Sequence, residues 1–467
     1  MSHPLFTRLN RAAGEIAVLG LGKSGAAVSA LLRRDALDVY ASDGGTSATV
    51  LSNADRLRAL GADVQTGAHD LERIGRAAIV VASPGVPPTA PALRAAAVNG
   101  VPVIGELEVA LHAMPALRYI AITGTNGKTT TTAITGHILR AFVNAVDAGN
   151  IGTALAEFAL HTPPPEWAAL ECSSFQLHDT PGIVPTVGVV TNLSPDHLDR
   201  YASVDEYYGD KARIFANASA SSRWVLNGDD HAVLRLHERL GRGSVLAGVV
   251  RTFRLGAPAD AWFERETGTL HLLGQPLMQR AEFPLVGDHN VANALTAALA
   301  VATACPERDI GVLRALIADQ LRSFHALPHR LEPVPTTDGR LWLNDSKATN
   351  VSSTMVAVQG MTRPFVLLLG GRHKGEAYTS LAAPFATLGK AVIAYGEAAD
   401  EVVHDLGPLL QVERVDGPFG AVVERARQLT TAGDAILLSP ACSSFDMFRN
   451  YEERGAAFRT LARGSAA

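Results

Sequence analysis

Cysteine is scarce here: Cys172, Cys305 and Cys442 are the only three in 467 residues, far apart and odd in number. A disulfide framework is therefore not expected, and the usage fits a reducing compartment. Long apolar runs are missing as well. None approaches the roughly 18 residues that a membrane span needs, and the opening MSHPLFTRLNRAAGE lacks the apolar core of a signal peptide. A cytoplasmic protein without membrane insertion is the expectation. Nor is there an excess of positive charge. The 41 basic and 46 acidic residues leave a net −5, which argues against a nucleic acid or anionic membrane held by bulk electrostatics. Short-period repeats and low-complexity tracts are absent. What remains is 47% hydrophobic and 19% charged residues, the balance of a globular protein with large cores. The length suggests about three domains.

Strand-like runs alternate with Ala/Leu-rich helical stretches almost throughout, which predicts parallel α/β sheets. The most informative stretch is YIAITGTNGKTTTT, residues 119–132. An apolar strand runs into a glycine turn, Gly124-Thr125-Asn126-Gly127, followed by Lys128, Thr129 and Thr130 at the start of a helix. Glycines let backbone N–H groups approach phosphate oxygens, and a helix N-terminus adds partial positive charge. Lys128 suits the terminal phosphates of ATP, and the Thr129 hydroxyl suits Mg²⁺. The match to the P-loop pattern is imperfect, because Ile122 stands where a further glycine is expected. The plain alternative is an ordinary glycine-rich βα turn.

The first block, residues 1–107, carries Gly20, Gly22 and Gly25 as G-x-G-x-x-G after a strand, with Ser24 in the turn and Asp43 closing the next strand. That pattern seats an anion on a βα turn without naming it. The pyrophosphate of a UDP-sugar fits as well as NAD. Ser83, Pro84 and Gly85 end another strand on the same expected sheet edge. In the second block, 108–326, Glu171 follows a strand directly, with Ser173 behind it, and a carboxylate at that end is placed to hold Mg²⁺. The alternative for Glu171 is a surface carboxylate. Asp196, His197 and Asp199 lie in NLSPDHLDRY after a further strand, which makes His197 a candidate ligand. Spacing alone makes Lys211 a solvated helix lysine. Residues 244–284 read as β-rich packing with little site chemistry, and 289–302 as a helix with Asn290 and Asn293 near its start. The third block, 327–467, reads as another doubly wound sheet.

TGTNGKTT, ECSSFQL, NLSPDHLDRY, GDHNVANALTA, LPHRLE, NDSKATN, GGRHKG and SPACSSFDMFRNYEERG occur in one order along essentially the whole chain. Together they resemble the Mur ligases, and most specifically the branch that adds D-glutamate to UDP-N-acetylmuramoyl-L-alanine. The DNPR-type motif of the diaminopimelate- and lysine-adding branch is not found. The resemblance implies three domains: a Rossmann-like UDP-substrate domain (1–107), a central P-loop ATPase domain (108–326) and a Rossmann-like amino-acid domain (327–467). It implies ATP and two Mg²⁺ ions, held by Lys128, Thr129, Glu171 and His197, with Lys211 carbamylated and its carbamate on the second ion. Asn150 would lie near ATP and the muramyl substrate, and Ser173 would serve substrate binding. Asn290, Asn293, Arg330 and Asp345 would serve ATP. Lys347, Thr349, Lys374, Ser444, Phe445 and Tyr451 would surround the glutamate. The implied route is phosphorylation of the alanyl carboxylate, then attack by the glutamate amine, with domain closure and a monomer expected. One departure is the turn after the second strand. The family has an Asp-Thr-Arg-like sequence there, and this chain has Asp43-Gly44-Gly45, so Lys23 or a residue after Gly45 is expected to substitute for the arginine. Rival readings are a related ligase using L-glutamate or a diamino acid, an NAD-dependent oxidoreductase built on Gly20 to Asp43, and a non-catalytic P-loop module.

Overall fold

The computed structural model describes residues 14–196, 200–241 and 243–464. The short apolar runs become strands buried on both faces, and the Ala/Leu-rich stretches become the helices that cover them, as a parallel α/β architecture requires. The expected class is found, with three sheets.

The first sheet is parallel, in the order Asp63–Thr66, Val39–Asp43, Ile16–Leu19, Ile79–Ala82, Val103–Gly105. Strand order reverses between Ile16–Leu19 and Ile79–Ala82, so a crevice opens beyond their carboxyl ends. The second sheet has nine strands: Gln275–Gln279, Thr269–Leu272, Ala261–Glu264, Val249–Leu255, Arg223–Asn227, Val187–Val190, Arg118–Thr123, Trp167–Glu171 and Ala145–Gly149. All its pairings are parallel except the two at the Gln275–Gln279 edge. The β-rich reading of 244–284 thus corresponds to the sheet's extension away from the glycine turn. The third sheet runs Glu332–Val334, Leu341–Asn344, Ala435–Leu438, Phe365–Gly370, Gly389–Tyr395, Val412–Arg414, with only its first pairing antiparallel. Alternate residues of its strands feed two cores: Leu343, Leu367 and Leu437 on one face, Trp342, Val366 and Ile436 on the other.

The chain divides into two compact units, Met1–Arg280 with Ala292–Arg322, and Ala281–Val291 with Ser323–Ala467. The first holds two sheets around one continuous core that includes Val18, Leu107, Tyr119, Leu170 and Trp224. Helix Glu106–Ala113 joins those sheets. Glu106 Oε1 accepts from the Ala156 N–H at 2.6 Å, Glu108 Oε2 from the Gly182 N–H at 2.8 Å, and the Gly105 N–H donates to Asp179 O at 2.7 Å. Burial raises the Glu106 carboxyl to about 7, against the pull of the Ala156 and Leu155 N–H groups. Among the described residues no helix is long and apolar enough to cross a membrane.

Candidate active site

Strand Arg118–Thr123 delivers the chain to Gly124, at φ 142°, and Gly127, at φ 80°, caps helix Lys128–Arg140. A Cβ on Gly124 would stand 2.0 Å from Thr191 Oγ1, and one on Gly127 2.4 Å from Asn293 Oδ1. The glycines are therefore demanded by close approach as well as by backbone angle. The residues between them are braced by the segment after strand Val187–Val190. The Thr125 N–H donates to Asn192 O (2.8 Å), the Asn126 N–H to Asn192 Oδ1 (2.8 Å), and Thr191 Oγ1 to Asn126 O (2.7 Å). Asn293 Oδ1 accepts from Thr131 Oγ1 at 3.1 Å, which seats it against the same helix. A helix N-terminus with Lys128, Thr129 and Thr130 in its first turn is thus presented from a rigid loop, a seat for a polyphosphate.

Two ammonium groups converge on this loop. Lys128 Nζ donates to Gly124 O at 3.0 Å and Thr125 O at 2.8 Å, and Lys211 Nζ donates to the same Gly124 O at 2.7 Å. Lys211 is 1% exposed, so the solvated lysine suggested by spacing is corrected. Helix Val204–Ala212 turns it inward, with Nζ 4.6 Å from the Tyr207 ring centroid. Burial, then the charge of Lys128, holds its pKa well below the usual lysine value, while Asp196 and Glu171 oppose the shift.

Strand Trp167–Glu171 pairs directly with the P-loop strand, Glu171 opposite Ile122. Glu171 is 2% exposed, not the surface carboxylate of the alternative reading. Its Oε1 accepts from Asn150 Nδ2 at 3.0 Å, while Oε2 is buried without a hydrogen-bond partner among the described residues. The Asn150 loop is pressed there by backbone: Asn150 N–H donates to Glu171 O (2.9 Å), and a Cβ on Gly149 would lie 2.1 Å from that oxygen. An orphaned buried carboxylate oxygen beside a P-loop fits a divalent cation. His197 and Asp199 lie outside the described residues, and Asp196 is half-buried. Ser173 caps helix Ser174–His178 in a reciprocal capping box with Gln176.

A cleft of about 610 Å³ gathers Ser24, Asp43, Ser83, Pro84, Gly85 and Asn150. The carboxylate of Asp43 is committed to its own turn, accepting the Leu21 N–H (Oδ2, 2.7 Å) and the Gly45 N–H (Oδ1, 2.7 Å). His69 also lines the cleft.

The third-sheet candidates sit beyond the carboxyl ends of its strands. Asp345 is buried, accepting the Leu331 N–H at 3.2 Å and Ser439 Oγ at 2.8 Å, and burial raises its carboxyl to about 7. Arg330 lies between His329 (φ 63°) and Leu331 (φ 43°), both left-handed. Lys347 Nζ stands 5.1 Å from the Tyr451 ring centroid, and Lys374 Nζ donates to Thr349 Oγ1 at 3.4 Å. Ser444 is buried and Phe445 exposed. Asn290 Nδ2 donates to Val286 O at 2.8 Å. Sequence reasoning passed over Arg454, a fully buried guanidinium that donates to Ser346 Oγ (2.9 Å), Ser346 O (2.8 Å) and Cys442 O (3.1 Å). It ties the loop before Lys347 to the loop before Ser444. It also passed over Asn192 and His69. The only sequence signal for Asn192 was its place at a strand end.

Three family models match the chain: the Mur ligase MurD-like N-terminal domain over residues 14–105, the Mur ligase middle domain over 122–301, and the Mur ligase glutamate ligase domain over 329–442. The chain is 37% identical over 465 residues to the UDP-N-acetylmuramoylalanine–D-glutamate ligase of Acidobacterium capsulatum, covering 97% of each. To the enzyme of the same name from Anaeromyxobacter dehalogenans it is 39% identical over 468 residues, covering 97% of this chain and 98% of that one. Among solved structures, MurF from Acinetobacter baumannii superposes with a TM-score of 0.59 at 15% identity, covering 91% of this chain and 90% of that one. The UDP-N-acetylmuramate-alanine ligase MurC of Thermotoga maritima gives 0.58 at 18%, covering 95% and 98%. At these identities the structures speak for the fold.

Proposed function

The chain belongs to the Mur ligase family, and we propose that it joins D-glutamate to UDP-N-acetylmuramoyl-L-alanine with ATP, in cytoplasmic peptidoglycan precursor synthesis. The observation that carries this reading is the cluster around Gly124: a glycine loop opening a helix, two lysines on one carbonyl, and an orphaned Glu171 oxygen on the adjoining strand.

A carboxylate and an amine do not condense unaided in water, so the alanyl carboxylate must first be phosphorylated and phosphate must then leave. Two anions meet in the first step, and the chain answers with cations. Lys128 and the N–H groups of residues 124–130 hold the phosphates and shield the charge that develops as the phosphoryl group moves. Mg²⁺, which serves the family generally, would be held by Thr129 and Glu171, with a second ion at His197 and a carbamylated Lys211, and would supply Lewis-acid charge neutralisation. A deeply buried lysine suits carbamylation because only a neutral amine adds to CO₂, and burial disfavours the ammonium form. Asn150 would orient the carboxylate oxygen of Glu171 and the acyl end of the substrate. Ser24, Asp43, Ser83, Pro84, Gly85 and Ser173 would hold the UDP-sugar, and Asn290, Asn293, Arg330 and Asp345 would serve ATP. Lys347, Thr349, Lys374, Ser444, Phe445 and Tyr451 would receive a dicarboxylic amino acid, whose two negative charges call for two lysines. On this reading residues 1–107, 108–326 and 327–467 are the UDP-substrate, ATP and amino-acid domains of a monomer.

The test is phosphate release from ATP with Mg²⁺ and UDP-N-acetylmuramoyl-L-alanine, with D-glutamate, L-glutamate, D-aspartate or meso-diaminopimelate added separately. Release with D-glutamate alone, and a product heavier by one glutamyl residue, is expected. Release with another amino acid would reassign the third-domain pocket, and release with none would refute the ligase reading.

A further inference from the structure

Three ionisable side chains line the nucleotide cleft, Lys23, Asp43 and His69, and the sequence motifs do not assign the last. His69 follows strand Asp63–Thr66 and lines the cleft with Ser24, Asp43 and Gly44. Its position is fixed from several sides. The Gly67 N–H donates to Asp43 O at 2.8 Å, the Asp70 N–H to the Tyr40 hydroxyl at 2.9 Å, and His69 Nδ1 pairs with the buried Ser42 hydroxyl at 2.9 Å. The other ring nitrogen, Nε2, has no hydrogen-bond partner among the described residues. It points past Gly44: a Cβ there would sit 3.5 Å from Nε2. Glycine at 44 therefore leaves open the space that a larger side chain would fill beside the imidazole.

Sheet order says which part of a UDP-sugar that nitrogen meets. Strand Val103–Gly105 is the edge tied to Asp179, the residue that ends helix Ser174–His178 just after Glu171, and Asn150 on the cleft wall bonds Glu171. The reacting carboxylate belongs at that end. The loop of His69 leaves the opposite edge strand, three strand spacings from Ile79–Ala82, or roughly 14 Å away. The diphosphate has its own seat between the two, the turn Gly20 to Gly25 at the head of helix Lys23–Arg34. We propose that His69 Nε2 hydrogen-bonds the nucleoside end, the uracil or ribose, of the UDP-sugar. Ser42 is a positioning residue that holds the ring through Nδ1. With the Ser42 hydroxyl donating to Nδ1, Nε2 carries the hydrogen and is a donor to a ribose or carbonyl oxygen. This inference rests on the UDP-sugar reading of the cleft.

The experiment is calorimetric binding of UDP, UMP and uridine to wild type, His69→Ala, His69→Gln and Ser42→Ala, with thermal midpoints recorded alongside, and substrate kinetics for each variant. His69→Ala is expected to weaken all three ligands by the same factor, about tenfold. It should raise KM for the UDP-substrate while kcat and the KM values for ATP and D-glutamate stay unchanged. His69→Gln, which keeps an N–H near the Nε2 position, should recover most of the loss, and Ser42→Ala should lose less than His69→Ala. Unchanged UDP affinity in a folded His69→Ala protein overturns the assignment. So does a loss for UDP with none for uridine, which would mean a phosphate contact. Failure of the wild type to bind UDP at all would instead sink the reading of the cleft.

Discussion

Burying an ammonium group costs several kcal/mol unless its protons are satisfied, yet Lys211 is 1% exposed, with its Nζ on one carbonyl oxygen and over one aromatic face. Lys128 shares that carbonyl, so two like charges crowd one acceptor. The arrangement is unfavourable for two cations and is relieved if Lys211 is neutral or turned into an anion. Carbamylation does the latter: the amine nitrogen bonds the CO₂ carbon, a proton leaves, and the site gains a carboxylate facing the P-loop. Lys211→Ala should therefore lower ligase activity by at least a hundredfold. High bicarbonate should not restore it, because no amine remains, whereas excess formate or acetate should restore part of it. Phosphate release measured with each additive checks this, and wild-type activity in the variant would end the carbamate role.

At the scale of elements, the P-loop was legible because its parts are adjacent in sequence: an apolar strand, two glycines, a lysine and threonines. The central strands, among them Ile16–Leu19, Leu341–Asn344, Phe365–Gly370 and Ala435–Leu438, were legible as short apolar runs between turns, whereas Asp63–Thr66, Glu332–Val334 and Val412–Arg414 carry too few apolar residues to show as strands. Helix Asp288–Ala304 likewise spans the predicted 289–302. Arg454 and His69 were not legible as site residues, and Lys211 was legible only through the family resemblance, because their partners are distant in sequence. Lys211 meets Gly124 across 87 residues, Arg454 meets Ser346 across 108, and His69 meets Ser42 across 27. No local pattern encodes such contacts. The same element yields a prediction. A Cβ on Gly127 would press on Asn293 Oδ1 and hold a left-handed angle that costs an L-residue roughly 1–2 kcal/mol. Gly127→Ala should weaken binding of a non-hydrolysable ATP analogue at least tenfold by calorimetry, while UDP affinity stays within twofold. Equal loss of both ligands would point to general unfolding and not to a damaged loop.

For the molecule as a whole, the joint between the first two sheets makes stability depend on pH. Glu106 sits in that joint, buried, with its carboxyl raised from 4.5 to about 7 by loss of water. A carboxyl whose folded pKa is raised favours the folded state when protonated. Its contribution is complete below about 4.5 and is lost as pH climbs through about 7. Each pKa unit is worth about 1.4 kcal/mol, so the loss is on the order of 3 kcal/mol. Glu106→Gln cannot ionise and keeps an oxygen for the Ala156 N–H. Wild type and variant should therefore melt together near pH 5, and the variant should melt higher by roughly 5 °C at pH 8. Asp345 is raised to about 7 as well, but it is present in both proteins and cancels in the difference. Scanning calorimetry of the pair from pH 5 to 8 isolates Glu106. A constant gap across that range would mean the carboxyl is ionised throughout, held by the helix N–H groups strongly enough to overcome its burial.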